Sequence, residues 1–120
     1  MQITQAELDV MQILWQQPKL AAADVYANLE SHKDWNIRTV KTLLARLVDK
    51  GALTTTADGR RYLYTPVLSK TAYQKRATTT FVERVFAGRA APLVAQLADA
   101  NGLSEQDIKD LEQLLEKLKQ

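Results

Sequence analysis

The chain has 120 residues, 46% of them hydrophobic, with sixteen Lys and Arg against fourteen Asp and Glu and no cysteine. That length suits one domain, or a small domain with an appendage, and the apolar share supports a folded core. The absence of cysteine excludes a disulfide framework, a thiolate metal site and a cysteine nucleophile, and the single His32 has no carboxylate cluster around it to complete a zinc site.

The first helix is marked by a Thr-x-x-Glu capping box, Thr4 to Glu7, with Ile3 placed to staple onto Leu8. Leu8, Met11, Leu14 and Trp15 follow at helical spacing, and Pro18 stops the pattern, with Lys19 and Leu20 briefly extended. A second helix is predicted over 22–30, carrying Val25, Tyr26 and Leu29 on one side, followed by a polar turn over 31–34. The third helix has the clearest periodicity. Asn36 is its N-cap and Gly51 its left-handed stop, and Val40, Leu43, Leu44, Leu47 and Val48 form one buried stripe. At 3.6 residues per turn, Arg38, Lys41, Thr42, Ala45, Arg46 and Asp49 lie away from that stripe.

A β-hairpin comes next. Asp58-Gly59 reads as a type I′ turn between two strand-forming runs, 53–56 and 61–64, and Pro66 ends the second strand. The rest is helical. Ser69 caps a long helix through Tyr73, Ala77, Phe81, Val85 and Phe86, closed by Gly88. Pro92 suits the first turn of a short helix ending at Asn101-Gly102, and Ser104 with Asp107 caps a last helix bearing Ile108, Leu111, Leu114, Leu115 and Leu118. The expected boundary near Pro66–Ser69 divides the chain into 1–68 and 69–120.

Charge is unevenly distributed. Residues 36–61 hold six cations (Arg38, Lys41, Arg46, Lys50, Arg60 and Arg61) against Asp49 and Asp58, a net of +4. Residues 101–120 hold three lysines against five acids, a net of −2. The first stretch suits a polyanion and the second does not. No charged leader precedes an apolar run and no apolar segment reaches membrane-spanning length, so no membrane insertion and a cytoplasmic location are expected.

Three helices and then a hairpin, with the third helix basic on its outer face, is the order of a winged helix-turn-helix. The expected fold is therefore mostly α with a small β-hairpin: a winged-helix DNA-binding domain and a C-terminal helical dimerisation segment. An α-helix fits the major groove, flanking cations neutralise phosphates, and arginines beside a hairpin turn reach along the backbone. Each piece alone has a plainer reading, a solvated helix face or an ordinary hairpin; their conjunction in this order points to DNA. A winged-helix module that binds protein instead would call for an apolar or acidic outer face on the third helix. No nucleophile–base arrangement, ligand spacing or phosphate-cradling loop is legible, and Asp9, Asp24 and Glu30 are scattered surface acids, so neither an enzyme nor a cofactor is expected.

The run from Trp35 through Asn36, Thr39-Val40-Lys41-Thr42-Leu43-Leu44, Arg46-Leu47 and Lys50-Gly51 closely resembles the recognition helix of the penicillinase-repressor (BlaI/MecI/CopY) family. The first helix from Glu7 to Trp15, the wing from Gly59 to Pro66, and Pro92-Leu93-Val94 with 103–108 resemble that family too. The resemblance implies a homodimeric repressor on a palindromic double-stranded operator. It implies that Thr39, Lys41, Thr42 and Arg46 face DNA, with Arg38 on the same helix and Arg60 and Arg61 on the wing. It also implies C-terminal helices that interlock as the dimer interface, for which Phe81, Val85, Leu93, Leu97, Ile108, Leu111, Leu115 and Leu118 are the candidates. Thr39 stands at the edge of the exposed face and equally suits a place in the helix cap. The last leucines equally suit folding back onto their own domain. In one branch of the family a regulatory protease leads to cleavage at an Asn-Phe pair, whose place is taken here by Gln96-Leu97. In another a cysteine-rich motif senses copper, a route not expected without cysteine.

Overall fold

The computed structural model describes residues 1–29 and 34–120. His32, Glu30 and the 31–33 part of the expected turn lie outside the described residues. The elements run α1 (Gln5–Gln16), β1 (Leu20–Ala21), α2 (Ala22–Leu29), α3 (Ile37–Asp49), β2 (Leu53–Asp58), β3 (Arg61–Pro66), α4 (Lys70–Phe86), α5 (Ala90–Asp99) and α6 (Glu105–Lys119).

Local chemistry sets the helix ends. The Thr4–Glu7 capping box forms in both directions, and a second, Ser104–Asp107, opens α6. At the end of α3, Gly51 takes φ 83°, which lets its N–H donate to Val48 O at 3.0 Å and the Ala52 N–H to Leu47 O at 2.9 Å. That is a Schellman stop, which a residue with a Cβ adopts only with strain. Ser69 Oγ accepts from the Ala72 N–H at 3.0 Å and caps α4.

Val10, Met11 and Leu14 of α1, Val25 and Leu29 of α2, and Val40, Leu43, Leu44 and Leu47 of α3 close on one another as the core, floored by Ala52 and Leu53. Each large side chain buried there contributes about 1.5–3 kcal/mol of transfer free energy. Val48, expected in this stripe, is only half-buried at its margin.

The sheet differs from the expected hairpin in two ways. It has three antiparallel strands, ordered β1-β3-β2, because Leu20 pairs with Tyr64 and Ala21 with Leu63. Two residues are too few to show period-2 alternation, so only the tertiary pairing reveals β1. Lys19, expected extended, instead turns the chain with φ 73°. In the wing, Asp58 pairs with Arg61, so the loop residues are Gly59 and Arg60. Only Gly59 of these two has positive φ, 65°, which is the sign pattern of a type II′ turn and not of the expected I′.

The chain divides into two compact units, Met1–Gln74 and Lys75–Gln120. The first includes the opening turn of α4, where the Tyr73 ring packs 5.8 Å from that of Trp15. Trp15 Nε1–H also donates to Leu68 O at 2.9 Å. Those contacts tie α1 to Leu68 and to the opening turn of α4. No helix among the described residues is long and apolar enough to cross a membrane.

Candidate nucleic-acid interface

The buried stripe of α3 dictates what its other face presents. With Val40, Leu43, Leu44 and Leu47 turned into the core, Arg38, Lys41, Thr42, Ala45, Arg46 and Asp49 are all exposed. Arg38, Lys41 and Arg46 have no ion-pair partner among the described residues. The Thr42 hydroxyl donates to Arg38 O at 3.0 Å, one turn back, and this holds the side chain in a single orientation on the exposed face.

Thr39 is placed differently. Asn36 Oδ1 accepts from the Thr39 N–H at 2.9 Å and from its hydroxyl at 3.2 Å, so Thr39 is half-buried within the N-cap. Its oxygen keeps lone pairs for an external donor, but its proton is engaged.

The wing carries Arg60 in the turn itself, not after it. Arg60 is exposed and has no ion-pair partner among the described residues, whereas Arg61 Nε donates to Asp58 Oδ2 at 3.2 Å across the turn. Both partners of that pair are exposed, so it constrains Arg61 only weakly against competing anions.

Lys50 belongs to the basic stretch in sequence and keeps 33% of its side chain exposed, but its ammonium is engaged within the protein. Its Nζ stands 2.6 Å from Glu7 Oε1 and 2.8 Å from Gln2 O. Glu7, with 1% of its surface exposed, shares the inner side of α1 with Val10, Met11 and Leu14. Burial raises its pKa and is the largest single influence. Hydrogen bonds with Lys50 and Thr4 and the nearby Lys50 charge together outweigh it, so the carboxyl sits below its ordinary value. Its Oε2 is buried with no hydrogen-bond partner. The signal was present in the sequence: spacing 7, 10, 11, 14 puts a carboxylate in an apolar stripe, which demands a cation nearby.

The second unit has no buried residue in α4, α5 or α6. Phe81, Val85, Leu97, Ile108, Leu115 and Leu118 are exposed, as is Leu114, and Leu93 and Leu111 are half-buried. Gln96-Leu97 lies within α5, where the Leu97 carbonyl accepts from the Gly102 N–H at 2.7 Å.

A three-helix core, a three-stranded wing and a third helix with its cations turned outward define a winged helix-turn-helix protein. The chain belongs to the penicillinase repressor family, whose sequence model matches residues 3–117. It is 32% identical over 118 residues to the penicillinase repressor of Bacillus licheniformis, covering 98% of this chain and 92% of that one. The solution structure of the DNA-binding domain of the repressor BlaI covers 60% of this chain and 88% of its own, with TM-score 0.55 and 36% identity. The solution structure of monomeric Bacillus licheniformis BlaI in complex with the blaP half-operator covers 61% and 89%, with TM-score 0.53 and 36% identity. The family is one of transcriptional repressors and not of enzymes.

Proposed function

We propose that this protein represses transcription by binding a palindromic operator as a homodimer, with α3 in the major groove and the wing along the flanking backbone. The observation that carries the reading is the outer face of α3: three cations without an ion-pair partner among the described residues, a fixed hydroxyl and the small Ala45, with no bulky apolar side chain to suit a protein partner. The complex of the related BlaI with a half-operator supports it. Arg38, Lys41, Thr42 and Arg46 are assigned to DNA, with Arg60 and then Arg61 from the wing. Thr39 is assigned only an acceptor's role, its free lone pairs taking a donor on a base edge.

The homodimer is supported by the exposed apolar side chains of α4 to α6, which a second copy would bury about a two-fold axis. Two such helices about 34 Å apart read half-sites one helical turn apart, which makes the operator palindromic. A cytoplasmic location follows from this role.

The test is equilibrium binding to a palindromic duplex selected from a random pool, measured across salt concentrations. Affinity falling steeply with salt, with a slope near −0.9 per phosphate neutralised, and a clear preference over scrambled DNA are expected. Binding that ignores salt, or no preference between duplexes, would overturn the proposal.

A further inference from the structure

The ion pair between Glu7 and Lys50 joins the start of α1 to the end of α3, two places 43 residues apart in the chain. Lys50 is the C-cap of α3, and its backbone N–H donates to Arg46 O at 2.9 Å. A displacement at Lys50 is therefore passed to Arg46 through one turn of helix. Glu7 has little freedom to follow such a displacement. Its Oε1 also accepts from the Thr4 N–H at 2.8 Å, and its neighbours Val10, Met11 and Leu14 are fully buried. The Lys50 ammonium is held on its other side by Gln2 O, which fastens the segment before α1 to the same point. With Glu7 buried and 33% of the Lys50 side chain exposed, this half-buried ion pair adds little net stability over an apolar pair of similar size. What it adds is direction, because an ammonium bonded to the buried Glu7 carboxylate accepts few placements of the helix end.

Resting on the reading of α3 as the DNA-reading helix, we propose that Glu7 and Lys50 are positioning residues for DNA recognition. Their pair fixes the last turn of α3, and with it Arg46, at the height the major groove requires. Lys50 itself does not reach phosphate.

The experiment uses the full chain with Glu7→Gln, Lys50→Met and the double variant, each checked for cooperative thermal unfolding. Glutamine at position 7 still serves a capping box, so this change removes the charge that holds Lys50 and leaves the start of α1 closed. Binding to the selected palindrome is then measured over a salt series. Each single variant is expected to weaken binding on the order of tenfold, the double variant no further than either single one, and the salt slope to stay that of the parent. If Lys50→Met instead lowers the slope by about one per subunit while Glu7→Gln leaves binding unchanged or tighter, Lys50 is a phosphate contact and the proposal is overturned. Parent-like binding by Glu7→Gln overturns it as well, and that variant decides the matter if Lys50→Met does not fold. A parent that itself shows no salt-dependent duplex binding removes the DNA-reading assignment of α3, a failure distinct from that of the clamp.

Discussion

Asn36 and Arg46 stand ten positions apart in sequence on the same helix, and their substitutions separate stability from binding. Asn36 Oδ1 satisfies the Thr39 N–H, so Asn36→Ala leaves an orphan donor at the helix start. Urea unfolding is expected to show a loss of about 1 kcal/mol from that change. Arg46 and Lys41 make no intramolecular ion pair among the described residues, and both are exposed. Arg46→Ala and Lys41→Ala should therefore leave the unfolding midpoint nearly unchanged while weakening operator binding. A lost base contact costs about 1–3 kcal/mol with the salt slope kept, and a lost phosphate contact lowers the slope by about one. Measuring both quantities for both variants assigns each residue to base or backbone.

At the scale of elements, α1 and α3 are tied by an interaction that titrates. The folded-state pKa of Glu7 lies below its ordinary value, so the folded chain binds fewer protons than the unfolded one as pH falls. The stabilisation is complete above the ordinary carboxylate pKa and is lost as pH falls through the depressed folded value. Urea midpoints measured from about pH 6 down to about pH 3 should fall for the parent, and fall less for Glu7→Gln. Were the two curves to run parallel, the Glu7–Lys50 pair would have no part in acid sensitivity. The wing is an element whose ends were legible and whose centre was not. The Asp-Gly pair located the hairpin, but the turn type depends on which two residues the strand register leaves unpaired. Pairing of Asp58 with Arg61 leaves Gly59 and Arg60, and so brings Arg60 to the tip.

At the scale of the whole molecule, the C-terminal helices carry a row of exposed apolar side chains. Leu115 and Leu118 keep 54% and 72% of their surface in the single chain, values that an isolated fold rarely leaves on two leucines of one helix face. On the proposed homodimer, the parent is expected to sediment as a dimer and the double variant Leu115→Asp, Leu118→Asp as a monomer at the same concentration. Its N-terminal core, none of which lies in α6, should unfold as before. Loss of the second half-site should weaken binding to the palindrome about a hundredfold or more, since the linked pair of sites is what raises affinity. Unchanged sedimentation would remove α6 from the interface.

The sequence by itself determined the helices, their caps, the hairpin, the exposed face of α3 and the family, because each rests on local spacing or on a contiguous motif. Helical period alone separates Leu44 from Arg46, and no distant residue has to be known to do so. Only the tertiary structure decided the third strand, the engagement of the Lys50 ammonium by Glu7 and the turn that puts Arg60 at the wing tip. Each of these depends on a partner far along the chain or on strand register. Tyr64 is what makes Leu20 a strand, and Glu7 is what engages the ammonium of Lys50 at the surface end of α3. Pairing across such distances follows from how the core closes, which no local window of residues contains.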